Sequence, residues 1–241
     1  NLYKYIPIIP KELSGDRLAL LPDQERLTLS ILITLNPTGR LVEFDIQPSV
    51  IRVDHQVDYK TAQAILDGEE VGSPEIVSIL ENLLEVSRAV RQMRAARGGF
   101  ELNLLDTHCH FDDEGELGPI VVASVTVAQA MVSELIVLAN QVVANHLQAL
   151  SLPAIYRVQP SPDAADVSEL VKLATHLGCE LELENEEEVN PSDFQSFVAD
   201  LAGTKAERVL TYLLEDSLKP AVYSTTAKPH FGLALDCYTH C

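Results

Sequence analysis

The sequence predicts an α+β fold, a mixed or antiparallel sheet packed with helices, formed as one domain over residues 1–241. Three observations carry that reading. Two β-rich runs flank a turn within residues 26–53, the apolar spacing turns helical from Tyr59 onward, and a second strand pair interrupts the helices between residues 100 and 127. Strands that precede and flank a helix-rich second half are the pattern of the α+β class.

Each element has its own local reason. Residues 6–22, IPIIPKELSGDRLALLP, are punctuated by proline and read as an extended entry segment. RLTLSILITL (26–35) is rich in Ile, Leu and Thr, NPTGR (36–40) is a turn, and LVEFDIQPSVIRV (41–53) returns, giving an antiparallel pair. YKTAQAILDG (59–68) is a short helix stopped by Gly68. In residues 73–97, Ser73 is the N-cap, Pro74 opens the first turn, and Glu75 and Glu81 come early. Arg88, Arg91, Arg94 and Arg97 crowd its end before Gly98 and Gly99, so acid first and base last complement the helix dipole.

FELNLL (100–105) reads as a strand, with GPIVVASVTV (118–127) as its partner. AQAMVSELIVLANQVVANHLQAL (128–150) is a long helix apolar on most sides, and PAIYRVQPSPD (153–163) is an extended connector. Helices follow at 164–178, ended by Gly178, at 190–203, with Ser192 as a candidate cap, and at 206–218.

Composition bounds the function. With 46% hydrophobic and 22% charged residues, the 241-residue chain can bury a sizeable core and is not disordered. Its apolar runs fall short of the roughly 18 residues of a membrane span, so no membrane role is expected. A formal charge of -19 repels phosphate backbones at long range and argues against a non-specific nucleic-acid coat. It leaves room for a narrow channel with its own local potential. Four irregularly spaced cysteines without a CxxC pair suit a reduced, intracellular protein, hence a cytoplasmic one. The abrupt start at Asn1 and end at Cys241 suggest a piece of something longer.

LLDTHCHFDDEGEL (104–117) holds the densest set of ligand-type side chains. Asp106, His108, Cys109 and His110 resemble the opening of metal-dependent hydrolases of the TatD type, in which His-x-His ends the first barrel strand. Such an enzyme needs further ligands on successive strand ends, and here His146 and His176 fall on helical patterns instead. The competing reading is a hairpin, with DDEGEL at its tip.

A distributed set of segments carries a second resemblance. YIPIIPKELSGDRLALLPDQERLTLSI, YKTAQAIL, RQMRAARGGFEL, ELIVLANQVVANHL, AIYRVQPSPD and SLKPAVYSTTAKPHFGLALDCYTH occur in that order over nearly the whole chain. Together they resemble the catalytic (RNB) domain of the ribonuclease II and ribonuclease R family. The resemblance implies a 3′-to-5′ exoribonuclease that hydrolyses single-stranded RNA to nucleoside monophosphates. It also implies magnesium held by clustered aspartates, a monomer, and a channel that grips the RNA 3′ end with stacked aromatics. The family's Asp-rich motif lies before the proline-rich opening segment and its Ser-Pro-Ile-Arg-type motif lies after YTH. Neither is in this chain, so the domain is expected to be incomplete, to hold no metal ligands or catalytic residues of its own, and to be inactive alone.

By the same resemblance Tyr3 or Tyr5 supplies one side of a base clamp, Leu102 takes the place of the opposing aromatic with Phe100 as its substitute, and Glu134 faces the terminal nucleotide. A carboxylate in so apolar a helix requires a partner. Three side readings accompany these. His230 in PHFGLAL is a buried histidine bonded to backbone, LELENEEEV (181–189) is a solvated loop, and the four arginines form a solvated face. Two alternatives stand beside the nuclease: a non-catalytic RNA-binding relative of the same fold, and the TatD-like hydrolase using His108 and His110.

Overall fold

Strand β1 (Glu25–Leu35) runs antiparallel to β2 (Leu41–Arg52), with Leu27 opposite Val50, Ile31 opposite Ile46 and Ile33 opposite Phe44. One face of this ribbon is therefore apolar. On the other, Ser49 shares its hydroxyl with Thr28 at 2.8 Å and Ser30 at 2.6 Å. The computed structural model describes residues 8–102, 106–111, 117–123, 125–183, 185 and 188–241. They divide into two compact units, one of Asn1–Asn36, Leu41–Leu84 and Asp106–Ala130, the other of Pro37–Arg40, Glu85–Leu105 and Met131–Cys241.

In the first unit the proline-rich entry is not wholly extended. Leu13–Arg17 forms a π-helical turn. The Pro10 carbonyl accepts from the Leu13 and Ser14 amides at 2.9 and 3.0 Å, and a proline opening a turn loses no hydrogen bond. Helix α1 (Tyr59–Leu66) is capped by Asp58, which accepts from the Thr61 amide at 2.8 Å. Helix α2 (Pro74–Ala96) starts at the expected cap, with Ser73 Oγ accepting from the Ile76 amide at 3.3 Å.

The strand expected at 100–105 is displaced. β3 is Asp106–Phe111, the His-Cys-His run itself, and pairs antiparallel with β4 (Leu117–Ala123), Thr107 opposite Val122 and Cys109 opposite Ile120. The hairpin reading holds in kind. Phe100 is drawn away because it belongs to the other unit's core, 8% exposed, with its amide bonded to the Gly232 carbonyl at 3.2 Å. Residues 103–105 and the tip at 112–116 lie outside the described residues.

The second unit is helical. Helix α3 (Val127–Ala149) crosses into it from the first, followed by α4 (Ala164–His176), α5 (Pro191–Leu201) and α6 (Glu207–Ser217). Val167, Leu170 and Ala174 of α4, Phe194, Phe197 and Leu201 of α5, and Leu210 and Leu214 of α6 are at most 2% exposed. Their three- and four-residue spacing puts each set on one helix face. Phe100, Phe194 and Phe231 close the core as three edge-on rings with centroids 5.7–6.1 Å apart. The cap of α5 is Asn190, not Ser192, and Asp193 reciprocates by accepting the Asn190 amide at 2.8 Å.

The connector expected at 153–163 contains strand β5 (Tyr156–Val158), which pairs with β6 (Val222–Ser224). The antiparallel pairing expected from the sequence is thus spread over three two-stranded sheets. The turn Pro37–Arg40 groups with the second unit, where Gly39 has a φ of 80° and a Cβ there would lie 2.5 Å from the Ala89 backbone. Only glycine fits that position.

Candidate functional site

The centre of the site is a buried ion cluster. Helix α3 carries Glu134 into the interior at 5% exposure, and the end of α2 brings Arg94 to meet it, also at 5%. Arg94 Nε donates to both Glu134 oxygens, at 3.0 and 3.3 Å, and its Nη2 donates to Oε2 at 2.8 Å. Arg94 also donates to Glu101, which is half-exposed and takes a further bond from Arg91 at 2.7 Å. Three chain segments, the end of α2, the turn after it and α3, are thereby clamped by one guanidinium. Burial alone would pull the Arg94 pKa down. The hydrogen bond and charge of Glu134, with Glu101 behind them, more than offset this and hold it above the ordinary arginine value.

The carboxylate partner that Glu134 requires is therefore Arg94. The expectation that all four arginines form a solvated face holds for Arg88, Arg91 and Arg97, which are exposed, and fails for Arg94. The signal was in the spacing. Ser87, Val90 and Arg94 are all buried and recur at helical intervals, so Arg94 sits on the core stripe of α2. Gly99 lets the chain turn close to this cluster, since a Cβ there would meet Arg94 Cγ at 2.7 Å.

Six residues along α3, Asn140 anchors a second polar group. Its amide donates to the Tyr238 hydroxyl at 3.0 Å, and its oxygen accepts from the Cys241 amide at 3.1 Å. The Tyr238 ring meets His230 and His240 edge-on, each with centroids 5.5 Å away. His240 in turn meets Tyr223 at 6.2 Å, and the Arg157 guanidinium lies over the Tyr223 ring at 4.7 Å. His230 donates its backbone amide to the Leu235 carbonyl at 2.8 Å, and its buried Nδ1 has no partner among the described residues. Burial first, then the charge of Arg157, lowers its pKa to about 4, so it is neutral at pH 7.

The other sequence-derived positions scatter. Tyr3 and Tyr5 lie outside the described residues. Phe100 is core, its ring committed to Phe194 and Phe231. Leu102, half-buried, lines an open hollow of about 660 Å³ with Gln159, Tyr212, Glu215, Asp216 and Lys219. The acidic run at 181–189 is held at both ends by buried Leu181 and Val189, and residues 184, 186 and 187 of it are not described. Among the described residues no three His, Cys, Asp or Glu side chains gather as a metal site. Helix α3 is long and apolar enough to cross a bilayer, contrary to the expectation from apolar runs. Within it Glu134 and Asn140 are buried and bonded to Arg94 and Tyr238.

A protein-family comparison matches the RNB domain over residues 3–241. The chain belongs to the RNB family. Its RNB sequence is 33% identical over 240 residues to the acetazolamide conferring resistance protein zam of a Synechocystis strain, covering 98% of this chain and 30% of that protein. It is 29% identical to ribonuclease R 2 of Lactococcus lactis, covering 98% of this chain and 36% of that protein. The chain thus spans about a third of the length of these relatives. The RNB fold matches Mycoplasma genitalium RNase R, solved in complex with ribose methylated single-stranded RNA, with a TM-score of 0.93 at 24% identity, covering 96% of this chain and 36% of that one. It also matches yeast Ssd1, described as a pseudonuclease, with a TM-score of 0.72 at 18% identity, covering 96% and 28%. The TatD-like reading is overturned by both findings. His108 and His110 lie in an antiparallel hairpin, whereas a barrel strand would need parallel neighbours on both sides.

Proposed function

We propose that this chain is the core of one 3′-to-5′ exoribonuclease domain, whose complete protein hydrolyses single-stranded RNA to nucleoside monophosphates with magnesium. The single observation carrying the reading is the RNB match over residues 3–241, together with relatives named ribonuclease R. In this reading Glu134 faces the terminal nucleotide, Arg94 holds its carboxylate in place, and Tyr3 or Tyr5 belongs to the clamp. The described residues gather no ligand set for magnesium; in this reading the metal ligands lie outside them, and the chain alone is expected to cleave nothing. The complete protein acts in the cytoplasm as a monomer.

The pseudonuclease among the structural matches supports a second reading, an RNA-binding relative without catalysis. One experiment separates the two. The complete protein is incubated with end-labelled poly(A) and magnesium. Mononucleotide release supports the enzyme, while binding without release supports the second reading and refutes the first.

A further inference from the structure

Strand β5 carries Arg157 and β6 carries Tyr223 as directly opposed residues of a short antiparallel ribbon. Opposed residues share one face of a sheet, and here the guanidinium carbon sits 4.7 Å from the tyrosine ring centroid. A cation over one face covers that face alone. Tyr223 is 63% exposed, so most of the residue is within reach of a ligand from solvent. The exposed His240 stands edge-on beside it.

The charge at this spot runs against the rest of the molecule. The chain carries a formal charge of -19, yet no described carboxylate makes an ion pair with Arg157. The nearby His230, kept neutral, neither adds to nor cancels that charge. An exposed tyrosine beside a planar cation that pairs with no described carboxylate offers stacking to a nucleobase and hydrogen bonding to a phosphate. Bases of a duplex have both faces occupied, so the fit is to a single strand.

The ribbon is rigidly placed. The Arg157 amide donates to the Tyr238 carbonyl at 2.8 Å, and the Tyr238 hydroxyl is held by Asn140 on α3. Asn140 lies six residues from Glu134, which is roughly 9 Å along the helix. From this arrangement we infer that Tyr223 and Arg157 form a base-stacking and phosphate-binding platform for single-stranded RNA, in addition to the positions named by the family resemblance. The inference rests on the RNA-binding reading above and gives it a second contact point on the same unit.

The chain has no tryptophan, so Tyr223→Trp introduces a lone fluorescent reporter at the platform. A dye-labelled oligoadenylate is titrated with the Tyr223→Trp chain, and anisotropy and tryptophan emission are read together. The expected result is quenching that follows the anisotropy change. Tyr223→Ala should weaken binding about 5- to 150-fold, the range for one stacked base, while Tyr223→Phe should bind like the parent. Arg157→Gln should lower the slope of log K against log salt by about 0.7, the share of one single-strand phosphate. RNA binding with unchanged emission and with parent-like affinity in Tyr223→Ala overturns the platform and leaves the family reading standing. No oligoadenylate binding by any form likewise overturns the platform, while the family reading is tested separately by mononucleotide release from the complete protein.

Discussion

Replacing Arg94 with methionine removes the only cation bonded to Glu134 among the described residues, in a place where both side chains are 5% exposed. A buried ion pair broken from one side costs about 3–5 kcal/mol, because the surviving charge is left desolvated and alone. Three hydrogen bonds at 2.8–3.3 Å place this pair at the upper end of that range. The reverse change, Glu134→Leu, should cost less, since Arg94 keeps Glu101. The double variant Arg94→Met/Glu134→Leu buries no lone charge and should return to within about 1–2 kcal/mol of the parent. Urea unfolding followed by far-UV circular dichroism measures all four corners of the cycle. With a denaturant slope of about 2–3 kcal/mol per molar, a loss of ~4 kcal/mol moves the midpoint by roughly 1–2 M. The reasoning is refuted if each single change costs under ~1 kcal/mol and the double change costs their sum, for the pair would then be uncoupled. RNA binding by the double variant adds a second test, since it restores stability without restoring the carboxylate proposed to face the nucleotide.

Three further outcomes can be checked on the same chain. The pKa of His230 lies near 4 in the fold and near 6.5 unfolded, so the unfolded chain binds the extra proton. Stability from this group is complete above about pH 6.5, is lost as pH falls toward 4, and levels off below; His230→Gln should flatten that part of the difference between urea midpoints at pH 4.5 and 7.5. Gly39→Ala forces a left-handed backbone on an L-residue and drives its Cβ into the Ala89 carbonyl at 2.5 Å, so thermal unfolding should show a loss of at least ~1–2 kcal/mol. Leu214→Ala empties a fully buried site of α6 and should cost about 2–5 kcal/mol in the urea midpoint.

Most elements were legible because their signals are local. The turn at 36–40 lies between two β-rich runs, Ser73 caps α2, and Gly68 stops α1 just before it, with a φ of 74°. The errors fall where a distant partner decides. Phe100 sits in a run that suits a strand, but Phe194 and Phe231 draw it into a helical core. Ser192 is a good cap residue, but Asn190 closes a reciprocal box with Asp193 one turn on. The four arginines form one basic run in the sequence, and the buried pair with Glu134 of α3 sets Arg94 apart from its three exposed neighbours.

The sequence by itself determined most of the secondary-structure types, the ordered family segments, and that Glu134 needed a partner in its apolar helix. Only the tertiary structure decided that the partner is Arg94, that Phe100 packs inside, and that Arg157 and Tyr223 face each other across β5 and β6. The physical reason is range. Capping, turn preference and apolar period act over a few residues, while the pairing of a buried charge or the stacking of a ring depends on groups 40 to 100 positions apart that come together only when the chain has packed.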